Sequence, residues 1–380
     1  MHKKIDLSIF IVYNLFHLFI DANFIFKPLK GLLMSDRIIS IVIPCRNEEK
    51  YICGCIESIL ASDYPKNLLE ILLVDGMSED GTKELIQSYA RRFPFIRLYE
   101  NIQKITPVAL NIGIKNSKGE IVIRMDAHST YPPHYISTCV DYLEKQEVDV
   151  VGGPIITCSK ENTLIAKTVT MVTSHPFGVG NSKFRTSSVE GFTDTVPFGA
   201  YWKSIFDKVG LFNESLIRNQ DNELSSRILS AGGKIYFTPL LTANYYNQTT
   251  LLGLLRQAVK TGMWNVTTVL INREAFRFRH FIPFVFVSTL LLLSILSKKL
   301  KFAKRMLFAV VTSYFSLSMI SSIQLAAKNG FRYIFVLPFT FFLYHLSYGL
   351  GTWISILKIC FKLLKPMENN VESKKNGDSL

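Results

Sequence analysis

Three apolar runs in this chain break off into charged side chains. In VIRMDAHST, residues 122–130, the run ends on Asp126, and His128 follows two places later. SIVIPCRNEE (40–49) gives way to Arg46, Asn47 and Glu48, and EILLVD (70–75) ends on Asp75. An Asp oxygen and an imidazole in one tight loop can share a divalent cation, Mn2+ or a tolerant Mg2+ site, with phosphate oxygens filling the remaining positions. Asp75 can accept hydrogen bonds from a ribose hydroxyl or a base N–H. A fourth stretch, NQDNELSSRI (219–228), opens with Asp221, carries Leu224 and Ile228 four apart, and leads to Gly232 and Gly233. An acid in that place is either a helix cap or a general base. Taken singly, a D-x-H is equally a surface turn, since Asp and Ser favour turns.

The elements around these residues bring them to one edge. From 38 to about 152, continuous β-branched runs alternate with amphipathic stretches. IISIVIPC, EILLVD, FIRLYEN, EIVIRMD and VDVVGG read as buried strands. Between them, Ile52, Cys55, Ile56 and Ile59 recur at helical spacing, as do Leu85, Ile86, Tyr89 and Ala90. A third helix is expected over TPVALNIGIKN, with Thr106 as its cap, Pro107 in first position and Gly119 beyond its end. A fourth is expected over PPHYISTCVDYLEKQ. The pattern predicts an α/β fold, a mostly parallel sheet with helices on both faces. Ligands of such sheets gather beyond the carboxyl ends of the strands, where Arg46, Glu48, Asp75, Asp126 and His128 fall.

Composition narrows the ligand. The 380 residues include 43 Lys plus Arg against 30 Asp plus Glu, a formal charge of +13, with 48% hydrophobic residues and 28 Phe. That balance suits a membrane surface or an anionic substrate. No zinc-finger spacing, aromatic-laced basic stripe or ribonucleoprotein motif occurs, so no nucleic-acid partner is expected. Neither a P-loop nor a G-x-G-x-x-G follows the first strand. A nucleotide would be held through base, ribose and a metal-bridged diphosphate. The six cysteines are scattered, as suits a reducing compartment, and Cys55 is expected in the core.

SIVIPCRNEE, ILLVDGMSEDGT, ALNIGIKNSKGEIVIRMDAH and NQDNELSSRI, in this order and spacing, resemble the family 2 glycosyltransferases of GT-A fold. The resemblance covers about residues 38–270, and is nearest the membrane-attached branch that builds bacterial exopolysaccharides such as succinoglycan. It implies that Pro44, Arg46, Glu48, Asp75, Lys104 and Asp126 bind a nucleotide sugar, that Asp126 and His128 hold the metal, and that Asp221 is the catalytic base. His128 stands where the commoner motif has a second Asp, and Gln220 where many relatives have Glu. YYNQTTLLGLLRQAVKTGMW resembles the segment that closes over the diphosphate, with Arg256, Lys260 and Trp264 as its candidates, although Asn247 and Gln248 lie where a basic residue is expected. In GFTDTVPFGAYWKSIFDKVGLFNE, Gly199, Tyr201 and Trp202 are either an acceptor platform or core aromatics.

Beyond Arg273, Arg277 and Arg279 the chain turns apolar. Residues 281–297 are at the lower limit for a membrane span, whereas 306–327 and 333–357 are long enough. Five basic residues in KKLKFAKR separate the first two, so charge favours two spans with 281–297 lying in the interface. The expected organisation is an apolar prefix (1–34), a GT-A domain (35–270) with a nucleotide-sugar half (38–152) and an acceptor half (153–270), a membrane region (271–365) and a polar tail (366–380). Met34 sits just before the first strand, so the prefix is an interfacial anchor or precedes the true start. The expected activity is inverting transfer from a nucleotide-diphosphate sugar, in the first place a UDP-hexose, to a hydroxyl of a lipid-linked saccharide. The enzyme would sit in the cytoplasmic membrane with the catalytic domain facing the cytosol. Transfer to polyprenyl phosphate, and a non-catalytic nucleotide-binding module in the membrane, are the alternatives.

Overall fold

Strand β1 (Ile39–Cys45) and strand β2 (Leu69–Asp75) are buried at every position, as their unbroken β-branched and leucine runs require. Alternation along them feeds two cores. Ile39, Ile41 and Ile43 pack on one face of the sheet with Ile52, Ile56 and Ile59 of helix α1 (Ile52–Leu60). Val42, Leu72 and Val122 face the other side, against Leu110 and Ile114. The computed structural model describes residues 36–180, 183–186 and 189–375. The prefix and the end of the polar tail lie outside them.

Helix α2 (Thr82–Arg92), strand β3 (Ile96–Glu100), helix α3 (Thr106–Asn116) and strand β4 (Ile121–Arg124) follow in the expected order. Thr106 does not cap α3. It is the first helical residue, Ile105 occupies the cap position without a side-chain bond, and Asn101 Nδ2 donates to the Ile105 carbonyl instead. Strand β5 (Ser129–Thr130), helix α4 (Tyr135–Lys145), strand β6 (Val150–Gly152) and strand β7 (Ile155–Cys158) complete the first half. Then come helix α5 (Leu164–Ser174), strand β8 (Gly191–Phe192), strand β9 (Ala200–Trp202) and helix α6 (Ser204–Val209). Helix α7 (Gln220–Ser230), strand β10 (Ile235–Phe237) and strand β11 (Ala243–Tyr246) end the sheet region.

The main sheet has eight strands in the order β3-β2-β1-β4-β9-β6-β10-β8. It is mostly parallel, but β9 runs antiparallel to both β4 and β6. The strands of residues 38–152 and 153–270 therefore interleave in one sheet. A second sheet, β5-β11-β7, stands beside it.

Helix α8 (Leu251–Ile271) leaves this body and runs along the last helix, α11 (Tyr333–Lys375). The approach is close because both carry glycine at the seam. A methyl group on Gly262 would lie 2.1 Å from the Tyr348 carbonyl oxygen, and one on Gly351 would lie 2.2 Å from that of Val259. Small residues let helix backbones meet in this way. Helix α9 (Ile282–Leu296) and helix α10 (Lys301–Asn329) pack with α11, and the segments Phe278–Leu296, Lys301–Asn329 and Tyr333–Phe361 are each long and apolar enough to cross a membrane.

Candidate active site

The exit of β4 sets the geometry. Pairing ends at Arg124, and the chain turns at once, with Ser129 N donating to the Asp126 carbonyl and Asp126 N donating to the Tyr131 hydroxyl. This tight turn carries Asp126 and His128 into one place. His128 Nδ1 lies 2.9 Å from Glu48 Oε1 and 3.7 Å from Asp126 Oδ1. Its ring stands edge-on to Tyr245 at 4.9 Å. Burial disfavours charge on the imidazole, yet the charge of Asp126, with Tyr245 and the Glu48 hydrogen bond, holds its pKa well above the ordinary value.

Asp221 arrives from the other half of the chain, in the first turn of α7. Its side chain caps nothing. Oδ2 accepts from Arg124 Nη1 at 2.5 Å, while among the described residues the covered Oδ1 has no hydrogen-bond partner. Burial pushes the carboxyl above the usual range, and the Arg124 cation opposes that rise. Arg124, only 9% exposed, also reaches within 3.8 Å of Asp126 Oδ2, so one guanidinium links the two acids. A buried charge of this kind needs its partners.

A cavity of about 950 Å³ joins these groups. Pro44, Arg46, Glu48, Lys104, Asp126, His128 and Asp221 all line it. Arg46 and Lys104 each stand 3.9 Å from Glu79 Oε1. Asp75 does not line it. That side chain is 1% exposed, and its oxygens take the backbone N–H and hydroxyl of Ser78, so it fixes the turn behind the site.

The acceptor candidates from sequence need correction. Tyr201 is 3% exposed and packs on Phe206 in the core beneath α7. Trp202 lies under the Arg37 guanidinium, away from the cavity, because β9 is an interior strand rather than a rim. On α8 the face turned to the cavity carries Gln257 and Thr261, so Arg256, Lys260 and Trp264 do not line it. Asn247, standing where a basic residue was expected, is buried and donates to Thr173 Oγ1.

The motifs in the sequence give Arg124 no role, although a lone arginine inside a buried strand, two places before Asp126, is a signal. Arg185 and Arg218, which also line the cavity, carry no comparable mark.

Among the described residues no three His, Cys, Asp or Glu groups form a metal cluster. Asp126 and His128 nevertheless fit an ion that takes two protein ligands and completes its shell from phosphate oxygens. The carboxylates of Glu48 and Asp126 both approach Nδ1 of His128, which makes that spot favour positive charge.

The model of "Glycosyl transferase family 2" matches residues 40–210. The chain is 31% identical over 320 residues to the dolichyl N-acetyl-alpha-D-glucosaminyl phosphate 3-beta-D-2,3-diacetamido-2,3-dideoxy-beta-D-glucuronosyltransferase of Methanococcus voltae, covering 82% of this chain and 95% of that one. It is 29% identical over 257 residues to the succinoglycan biosynthesis protein ExoA of Rhizobium meliloti (strain 1021), covering 66% and 77%. Among solved structures it is similar in fold to the mannosyltransferase PcManGT from Pyrobaculum calidifontis, in complex with GDP-Man and Mn2+. The TM-score is 0.54 at 16% identity, over 89% of this chain and 94% of that one.

Proposed function

The chain belongs to glycosyltransferase family 2 and is a glycosyltransferase of GT-A fold, and we propose that it moves a sugar from a nucleotide-diphosphate sugar, a UDP-hexose, onto a hydroxyl of a lipid-linked saccharide, with inversion. The observation that carries this reading is Asp221, a carboxylate paired with Arg124 and lining a cavity that runs from the strand ends to the apolar helices. The names of the relatives support it, one acting on a dolichyl phosphate sugar and one belonging to succinoglycan synthesis.

In this mechanism the Asp221 carboxylate takes the proton of the acceptor hydroxyl. The hydroxyl oxygen bonds to the anomeric carbon as the bond to the diphosphate oxygen breaks, and the electron pair leaves on the diphosphate. Attack from the opposite face turns an α-linked donor into a β-linked product. Arg124 keeps Asp221 ionised and aimed, since a guanidinium beside a carboxylate favours its charged form. A divalent ion, Mn2+ or Mg2+, held by Asp126 and His128 would supply positive charge to the departing diphosphate. Pro44, Arg46, Glu48 and Lys104 hold the nucleotide, and Asp75 holds the turn beneath it.

The GT-A domain is assigned to residues 35–270 and the membrane region to 271–365, with the domain on the cytosolic face. Arg273, Arg277 and Arg279 at the start of that region, and Lys358, Lys362 and Lys365 at its end, support this side. Direct transfer to polyprenyl phosphate is the weaker reading, because an anionic nucleophile gives Asp221 no proton to take. Membranes containing the protein, incubated with a panel of radiolabelled nucleotide sugars and a lipid extract, test the choice. Label entering a lipid-linked oligosaccharide is expected. Label entering only a lipid monophosphate with one sugar would overturn it.

A further inference from the structure

The cavity holds more positive charge than its acids balance. Arg46, Lys104, Arg124, Arg185, Arg218 and Arg279 line it, against Glu48, Asp126 and Asp221. The three acids all stand at the sheet edge, where Arg124 pairs with Asp126 and Asp221. Arg279 is 3.7 Å from Asp194. Arg185 and Arg218 are left. Among the described residues neither has a carboxylate within ion-pair distance, and Arg185 Nη1 donates only to neutral oxygens, Thr157 Oγ1 and the Thr173 carbonyl, at 3.1 Å each. Burial lowers the pKa of both guanidiniums below the ordinary value. Leaving two half-buried cations without an anion is costly.

Their place says which anion they await. Both line the cavity together with Tyr245 of β11 and Tyr344 of α11. They therefore stand where the cavity passes from the sheet to the apolar helices. On that side its wall is aromatic: Phe177 packs on Tyr314 at 5.5 Å, and Tyr314 stacks on Phe286 at 4.5 Å. Arg218 precedes Asp221 by three residues, which limits their Cα separation to roughly 11 Å.

We propose that Arg185 and Arg218 form the subsite for the phosphate of a polyprenyl-phosphate-linked acceptor, with its first sugar beside Asp221 and its isoprenoid chain along Phe177, Phe286 and Tyr314. This rests on the lipid-linked acceptor proposed above and adds the residues that read its headgroup. The donor's diphosphate is the other phosphate in the cavity. Its charge would be met at the opposite end, by Arg46, Lys104 and a divalent ion held by Asp126 and His128, so the two arginines answer to a second anion.

Binding to the full-length protein in detergent separates these claims, because it needs no turnover. The probes are radiolabelled undecaprenyl phosphate, undecaprenol and UDP. Wild-type protein should bind undecaprenyl phosphate saturably and at least about tenfold more tightly than undecaprenol, as expected for charge-assisted contacts. Arg185→Gln and Arg218→Gln should each weaken the phosphate probe by about tenfold while UDP binding changes less than twofold. Arg218→Lys, which keeps the charge, should recover part of the loss, and this shows that the Gln variants did not simply misfold. Equal affinity for undecaprenol, no saturable binding by wild type, or a loss that falls on UDP would each overturn the subsite. So would equal displacement by excess phosphatidylglycerol. If the phosphate probe binds as expected but no sugar is transferred to any lipid-linked saccharide, the subsite stands and the acceptor reading falls.

Discussion

The sheet edge and the seam with the apolar helices share one cavity and are built in opposite ways. At the edge the central charged groups sit on or just past a strand end or in the first turn of a helix, and they are partnered within the protein: His128 with Glu48, Arg124 with Asp221 and Asp126. At the seam Arg185 comes from a short helical turn and Arg218 from the loop before α7, and among the described residues neither has an acid within ion-pair distance. The edge is prepared in advance of substrate, whereas the seam is completed by it. That difference suits an enzyme whose donor chemistry is common to a family and whose acceptor is its own.

The largest break in the comparison is Asp221→Asn. Asn caps a helix about as well as Asp, so a capping role would leave turnover near normal. Removing a positioned base should instead lower kcat by roughly 10²–10⁴-fold. UDP binding by calorimetry should stay within about twofold, because the donor contacts remain. A proportional loss of UDP binding would move Asp221 to the donor side and end the mechanism.

Arg124→Gln should come next and should differ in kind. Burial raises the Asp221 carboxyl and Arg124 opposes the rise, so its removal raises that carboxyl further. The base works when ionised, so activity is present above its pKa and is lost as pH falls through it. The acid limb of kcat should therefore move to higher pH, with about a tenfold loss for each unit below it. Turnover should recover at alkaline pH, which Asp221→Asn cannot do. An unmoved limb would show that the pair is structural only.

How far the sequence reveals this molecule follows the same division. The strands, the turn at Asp126 and the opening of α7 are periodic or local, and a buried run that ends in an acid is visible without coordinates. Thr106 is no cap because the helix starts one residue earlier than the pattern suggests, so Thr106 is already helical and Ile105 stands at the cap position. Tyr201 and Trp202 failed as a platform because β9 enters the sheet between β4 and β6, an insertion that no local pattern announces. Arg185 and Arg218 acquire meaning only when α5, β11 and α11 meet around them.

Gly262→Leu strikes the seam and spares the edge. Any Cβ at that position meets the Tyr348 carbonyl oxygen, so the helices must part, at a cost of about 1–3 kcal/mol for overpacking. The melting temperature should fall, and binding of undecaprenyl phosphate should weaken more than binding of UDP. Equal weakening of both would mean that the two regions are one cooperative site.

The smallest effect is expected at Arg256, and it sharpens the comparison most finely. Resemblance to the family's closing segment singles out Arg256 and Trp264, whereas geometry singles out Gln257, one residue away. Successive residues on a helix lie about 100° apart, so the two side chains cannot serve the same surface. Arg256 is exposed and off the cavity, and surface changes of that sort usually stay within about 0.5 kcal/mol, or roughly twofold. Gln257 lines the cavity, and among the described residues its Oε1 has no hydrogen-bond partner. Arg256→Ala should therefore leave KM for donor and acceptor within about twofold. Gln257→Ala should raise the acceptor KM by about three- to tenfold, the worth of one hydrogen bond, with the donor KM unchanged. The reverse result would mean that α8 turns on its axis when substrate binds, bringing Arg256 over the diphosphate, and the seam would then belong to the donor.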